Sequence, residues 1–296
     1  YQDGQDPVGF LLKLIARKGL SGKRIALDKR GWFLPIAVYE ALQAELGTLH
    51  DGAGIVEELR AVKSPLEVGK LEKAASYVDA GMKAGLGAVK AGATDNDLVA
   101  AMMHAAIKAG SEYMGMEPLV STAKRTGVPH GTWRRTPLSQ NDPAFLEMAA
   151  VHDRYHAALM RSAWVGPVPA EAEDMMKVCQ DALAAALDEI RPGVACEVPH
   201  IACQKIIDAA GYTDNFRKRL GYSVGISFAP DWGEGAILSL NTGVKTELQP
   251  GMTFHLPPAL RIYGQFTVGV SETIVVTENG WRQLGTVPRD LTRVVA

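Results

Sequence analysis

The chain has 296 residues, of which 22% are charged, and a formal net charge of -2 at pH 7; this length holds one large core or two domains. No basic field suggests nucleic acid and no acidic run suggests a solvating tail, so the expected partners are small molecules or a second copy of the chain. No apolar run reaches 18 residues and no signal-peptide pattern opens the chain, which predicts a soluble cytoplasmic protein that binds neither nucleic acid nor membrane.

From the amino terminus, Pro7 to Ala61 alternates a helical pattern (Gly9 to Lys18), a strand (Arg24 to Leu27), a helix (Pro35 to Leu46) and a strand near Ile55, which reads as α/β. A boundary follows at Ser64-Pro65-Leu66-Glu67, where Ser64 caps a helix, Pro65 fits its first turn and Glu67 stands at the capping-box distance. The expected domains are therefore residues 1–60 and 61–296. Lys90 to Gly110 then matches Arg191 to Gly211 at an offset of 101 residues, with Gly92 over Gly193 and Gly110 over Gly211. That spacing is too long for a solenoid and fits two pseudo-symmetric α/β halves around one core. A cleft between the halves would collect the strands that carry Glu147, Tyr155 to Arg161, His255 and Glu272. Cys179, Cys196 and Cys203 are odd in number, fall on predicted helices and fit neither a zinc site nor a disulfide framework, so they read as buried thiols.

Glu147 interrupts the apolar run Phe145 to Ala150, and Glu272 precedes Thr273-Ile274-Val275-Val276. A carboxylate in such a strand is either paired in a structural network or functional. Two carboxylates in one apolar cleft raise at least one pKa, so that one holds a proton while the other accepts one. His130 lies in a loop between turn residues; strand parity leaves His255 inward or outward, and His156 is equally open. Trp133, Tyr222, Phe228 and Trp232 offer aromatic faces to a delocalised cation, or they simply pack. Arg161 and Arg261 suit a bidentate carboxylate contact or a structural role. Asp231 and Glu234 read as loop-capping or rim carboxylates. The glycines of Gly221 to Gly225 lack a phosphate-loop or dinucleotide fingerprint, so no cofactor is expected.

The stretch Gly221 to Glu234 (GYSVGISFAPDWGE) resembles the Gly-His-x-x-Gly segment of the pita-bread superfamily, which holds methionine and Xaa-Pro aminopeptidases, prolidases and creatinase. The resemblance implies an α+β pita-bread fold preceded by part of a creatinase-type amino-terminal domain, whose missing portion could contribute to the site. It also implies a homodimer. Five residues hold two divalent ions in the metal-dependent members; the matching positions here are Glu147, Ala158, Tyr222, Pro257 and Glu272. Three of these offer no good donor, which implies no metal. In finer pattern the chain resembles the ectoine hydrolases: Arg154-Tyr155-His156 before Arg161, Gly221-Tyr222 with Gly225, Pro230 to Glu234, Gly251 to His255, and Ser271-Glu272-Thr273. The implied activity is metal-independent hydrolysis of a small zwitterionic cyclic amidine, with Glu147, Glu272, His130 and His255 catalytic and Tyr222, Trp232, Trp133, Phe228 and Arg161 binding substrate. The rivals are a creatinase-like amidinohydrolase, a metallo-Xaa-Pro peptidase and an inactive binding protein of the same fold.

Overall fold

The computed structural model describes residues 2–234 and 237–295, and backbone contacts separate residues 1–59 from residues 60–296. In the first unit, α1 (Pro7–Arg17) starts at Asp6, whose carboxylate accepts from the Val8 and Gly9 amides. Strand β1 (Ile25–Leu27) pairs in parallel with β2 (Leu49–Asp51), and α2 (Ile36–Leu46) connects them. The strand expected near Ile55 is instead the helix α3 (Ile55–Ala61). Its sequence, IVEELRA, carries good helix formers, and the Gly54 amide donates to Glu57 at 2.8 Å across the first turn.

The second unit opens with α4 (Pro65–Ala88), and both halves of the expected Ser64–Glu67 capping box form. Helix α5 (Asp95–Ala109), β3 (Leu119–Thr122), β4 (Pro143–His152) and β5 (Tyr155–Val165) follow. After α6 (Ala170–Asp188) and α7 (Glu197–Ala209) come β6 (Gly221–Ser223), β7 (Ser239–Leu240), β8 (Thr253–Leu256), β9 (Ala259–Ile262), β10 (Phe266–Gly269), β11 (Glu272–Thr277), β12 (Gly280–Gln283) and β13 (Thr292–Val294). The strands order as β13-β5-β4-β3 in one sheet and β12-β11-β8-β6-β7 in another, with β9 and β10 as a separate pair. Among the described residues no helix is long and apolar enough to cross a membrane. The three cysteines are buried and unbridged, and Cys196 stands at the start of α7 rather than inside it.

The repeat seen in sequence is a structural repeat. Gly92 and Gly193 both adopt positive φ, 86° and 82°, a conformation that suits glycine. The Gly92 amide donates to Leu138 O at 2.8 Å, and the Gly193 amide donates to Leu248 O at 2.9 Å. Each loop is thus pinned to the approach of a sheet in the same way.

Strands β4 and β5 are buried along almost their whole length, so both faces need cover. Leu146, Met148, Ala150, Ala157 and Leu159 pack on one face with residues of α4 and α5. Gly85 of α4 makes that approach close: a methyl group there would stand 2.3 Å from Met102 Cγ and 2.8 Å from Leu146 Cδ2. Gly87 of the same helix faces open space. Gly85→Ala is therefore expected to cost about 1–3 kcal/mol through overpacking, whereas Gly87→Ala should be neutral or stabilise by up to about 1 kcal/mol. Urea unfolding of both variants checks the pair, and equal midpoints would remove the close-packing account.

Candidate active site

Alternation along β4 and β5 puts Phe145, Glu147, Ala149, Ala158 and Met160 on the face away from α4 and α5. In the other sheet Tyr222 pairs with His255, and His255 with Thr273, so these three share a face. Trp232 and Leu119 pack with Ala149 and Ala158, and Tyr222 packs against that group. The two faces meet through hydroxyl groups. Thr273 Oγ1 accepts from Ala158 N at 3.2 Å and donates to Ala158 O at 2.7 Å. Ser271 Oγ accepts from Met160 N at 2.7 Å.

Glu147 is only 9% exposed. Burial pushes its carboxyl above the usual range, while the charges of Lys218 and Arg261 pull it back. Lys218 is accessible to solvent by area, yet burial lowers its ammonium, and Glu147 opposes that shift. Water reaches the Lys218 side chain, while the protein atoms crowded around its ammonium still disfavour the charge. Arg261, on β9, is half-buried, its Nε has no partner among the described residues, and its backbone carbonyl accepts from Asn215 Nδ2 at 2.8 Å. His130 adopts a positive φ of 53° in its loop. Burial lowers its imidazole, Lys218 and Arg261 lower it further, and Asp231 opposes them. The His130 loop is held by Arg125, which pairs with buried Asp95 at 3.0 Å and donates to Thr132 O. Lys218 and Arg261 thus lie within electrostatic reach of both Glu147 and His130. Lys218 is absent from the expected set; its signal is the run Arg217-Lys218-Arg219 directly before the Tyr222 strand, which also reads as a solvated segment.

Tyr222 is the hub of a hydrogen-bonded group. Trp232 Nε1 donates to its phenolic oxygen at 2.8 Å, and His255 Nδ1 stands 2.9 Å from the same atom. His255 Nε2 lies 2.7 Å from Ser271 Oγ. Burial lowers His255 to about 3, with Lys218 and Arg161 adding to the shift, so its ring is neutral at pH 7. Burial raises the Tyr222 phenol, which keeps its proton.

Several expected residues lie elsewhere. Arg161 and Glu272 are fully buried and pair at 3.0 Å. Arg161 spends its five N–H groups on Pro288 O, Met160 O, Ser271 O, Val287 O and Glu272 Oε1, so none remains for a substrate carboxylate. Glu272 pairs in register with Leu256 and takes the β11 side of Ile274, opposite His255; Arg289 also donates to its Oε1. Ser271, one residue earlier, is the neighbour that reaches His255. Trp133 packs against the α4–α5 core, and Phe228 is 54% exposed beneath the Arg154 guanidinium, 4.9 Å away. Asp231 caps its loop through Gly233 N. Glu234 is not a rim residue but is buried in pairs with Lys63 and Arg60. His156 is structural: its Nε2 accepts from Gly115 N at 3.0 Å and its Nδ1 donates to Arg154 O at 2.9 Å. A separate cavity of about 370 Å³ at α6 is lined by Glu173, Lys177, Asp290 and Arg293 among others, but Arg293 is spent on Glu173 at 3.0 Å.

Two sheets flanked by paired helices, with Glu147, Tyr222 and His255 on faces that meet, define a pita-bread fold. The chain belongs to metallopeptidase family M24, whose model matches residues 69–278. It is 29% identical over 298 residues to an ectoine hydrolase of Halomonas elongata, covering 96% of this chain and 74% of that one. It is 25% identical to an Xaa-Pro dipeptidase of Lactobacillus helveticus, covering 98% and 78%. An X-Pro aminopeptidase from Thermotoga maritima superposes with a TM-score of 0.87 at 20% identity over 97% of this chain and 78% of that one, a likeness of fold.

His156 provides a pH test of this geometry. Burial holds it at about 4, below the ordinary value of about 6.5. As pH falls from about 6.5 toward 4, the unfolded chain takes up a proton that the folded chain refuses, and stability is lost. His156→Gln keeps polar contacts without titrating. The stability advantage of wild type over this variant should shrink by about 1–2 kcal/mol between pH 7 and pH 5. A difference that stays constant with pH would show that His156 is solvated.

Proposed function

We propose that this protein is a metal-independent hydrolase that opens the ring of ectoine or a close cyclic amidine. The observation that carries the reading is the lining between the two sheets: Trp232 and Tyr222 pack against Ala149 and Ala158, while Glu147 remains as a buried carboxyl group within reach of the Lys218 and Arg261 charges. Metal does not fit this donor set. Ala158 and Pro257 offer no ligand atom, Tyr222 retains its proton, and among the described residues no three His, Cys, Asp or Glu side chains converge to hold an ion. Hard divalent ions need several such donors.

The charges suit a compact zwitterion. Lys218 and Arg261 take the substrate carboxylate, and Glu147 faces the delocalised amidinium. Water adds its oxygen to the amidine carbon as Glu147 accepts the first proton. The carbon–nitrogen bond then breaks, the second water proton leaves the new carbonyl oxygen, and both protons end on the departing nitrogen as an ammonium. Burial, with the nearby Lys218 and Arg261 cations, keeps His130 neutral, which suits it to relay those protons. The sequence similarity to an ectoine hydrolase supports the same substrate.

Purified protein incubated with ectoine, creatine or a proline dipeptide should consume ectoine alone, with the same rate in chelator, and elemental analysis should find no stoichiometric divalent ion. Dipeptide hydrolysis lost in chelator would refute the proposal. Glu147→Gln should lower turnover about a hundredfold or more while the circular-dichroism spectrum stays native. Lys218→Met should raise KM about tenfold to a hundredfold, the worth of one charge-assisted hydrogen bond. An unchanged KM would move carboxylate recognition away from Lys218.

A further inference from the structure

The group around Tyr222 contains more information than its distances, because each donor in it needs an acceptor. Ser271 is fully buried, and its Oγ already accepts from Met160 N. Its own hydroxyl hydrogen has a single described acceptor within reach, His255 Nε2 at 2.7 Å. If Ser271 donates there, Nε2 carries a lone pair and the neutral ring holds its hydrogen on Nδ1. Nδ1–H then donates to Tyr222 Oη at 2.9 Å. Trp232 Nε1, which can only donate, points at the same oxygen from 2.8 Å. Tyr222 thus accepts two hydrogen bonds from inside the protein, and its O–H has no acceptor among them.

The opposite tautomer is worse. With the hydrogen on Nε2, Ser271 Oγ would accept twice and its hydroxyl hydrogen would be stranded in a fully buried position, while the Tyr222 hydrogen would be consumed by Nδ1. A stranded buried donor costs about 1–3 kcal/mol. In the first arrangement the spare donor sits on Tyr222, which retains solvent exposure that Ser271 lacks even though protein crowds its phenol, and Glu147 lies within electrostatic reach of it; solvent or substrate is the partner left for it.

We propose that Ser271 is a positioning residue that acts through His255 to hold the Tyr222 hydroxyl as a hydrogen-bond donor facing the cleft, aimed at the oxygen that adds to the substrate carbon. His255 then sets the direction of a donor and does not itself exchange protons with substrate. The catalytic part rests on the hydrolase reading above; the tautomer does not. A fixed donor at a developing oxyanion is worth about a hundredfold to a thousandfold in turnover.

Nitrogen-15 spectra of histidine-labelled full chain, with His255 assigned by its loss in His255→Gln, should show Nδ1 protonated and Nε2 unprotonated. A protonated Nε2 in the wild type overturns the proposal. Ser271→Ala should shift the ring toward protonated Nε2 and lower kcat on ectoine at least tenfold with KM within threefold. A Ser271→Ala protein with native tautomer and native kcat also overturns it. A wild type that has protonated Nδ1 but leaves ectoine untouched supports the relay and removes the substrate reading instead.

Discussion

The hydroxyl groups of Thr273 and Ser271 tie the two halves of this molecule together beside the site, and the site depends on that join. Strand β5 pairs with β13 only at Ala163 to Val165, so its backbone at Ala158 and Met160 needs other partners. Thr273 Oγ1 serves both polar groups of Ala158, and Ser271 Oγ serves Met160 N. Side chains thus continue a ladder that strands alone leave unfinished. Because Ser271 also reaches His255, the backbone of one half fixes the ring in the other, and through it Tyr222. A valine at Thr273 or an alanine at Ser271 would fill similar space but orphan a buried amide, which is why polarity and not volume sets these positions.

The inner faces also show how packing replaces chemistry. Small residues, Ala149 and Ala158, leave room that Trp232 and Tyr222 occupy. An indole N–H would be costly in an apolar core, yet here it donates to the Tyr222 phenol oxygen at 2.8 Å. The result is a dry wall beside Glu147, and a dry wall raises a carboxyl pKa. Lys218 and Arg261 act against that rise without contacting Glu147 at hydrogen-bond distance. Among the described residues the Glu147 carboxyl group is therefore unpaired, in contrast to Glu272, whose Oε1 is held by two arginines.

Sequence made the scaffold legible and part of the site. The Ser64–Glu67 box, the paired glycines of the repeat and the apolar runs of β4 and β5 are local signals that the fold respects. Glu147 was legible because a lone charge in such a run needs a reason. Glu272 looked equivalent, but side chains alternate along a strand, and a one-residue difference moves a group to the other face. Ser271 thus reaches the cleft while Glu272 meets Arg161. Arg161 was opaque for another reason: five donors spent on carbonyls from four separate residues and on one carboxylate come from distant segments that no spacing reveals. Lys218 lies in a charged run that looks solvated, and only the fold puts its ammonium near Glu147.

The wall that carries Trp232 is itself fixed at both ends by charge. At one end Arg154 stands over Tyr113 and Phe228, at 4.0 and 4.9 Å, and donates to Ser227 O. At the other, Glu234 takes Lys63 at 2.6 Å and Arg60 at 2.7 Å, with the Lys63 and Glu234 side chains almost wholly buried. Burying such a group gains little net stability, since desolvation offsets attraction, but removing one partner leaves an unpaired charge. Its effect is therefore on position. Arg60 also reaches Ile226 O, so the start and the end of the Ile226–Glu234 segment are tied to the residues that precede α4. A loop held this way presents Trp232 to Tyr222 in one orientation, and the donor geometry around the phenol follows from it.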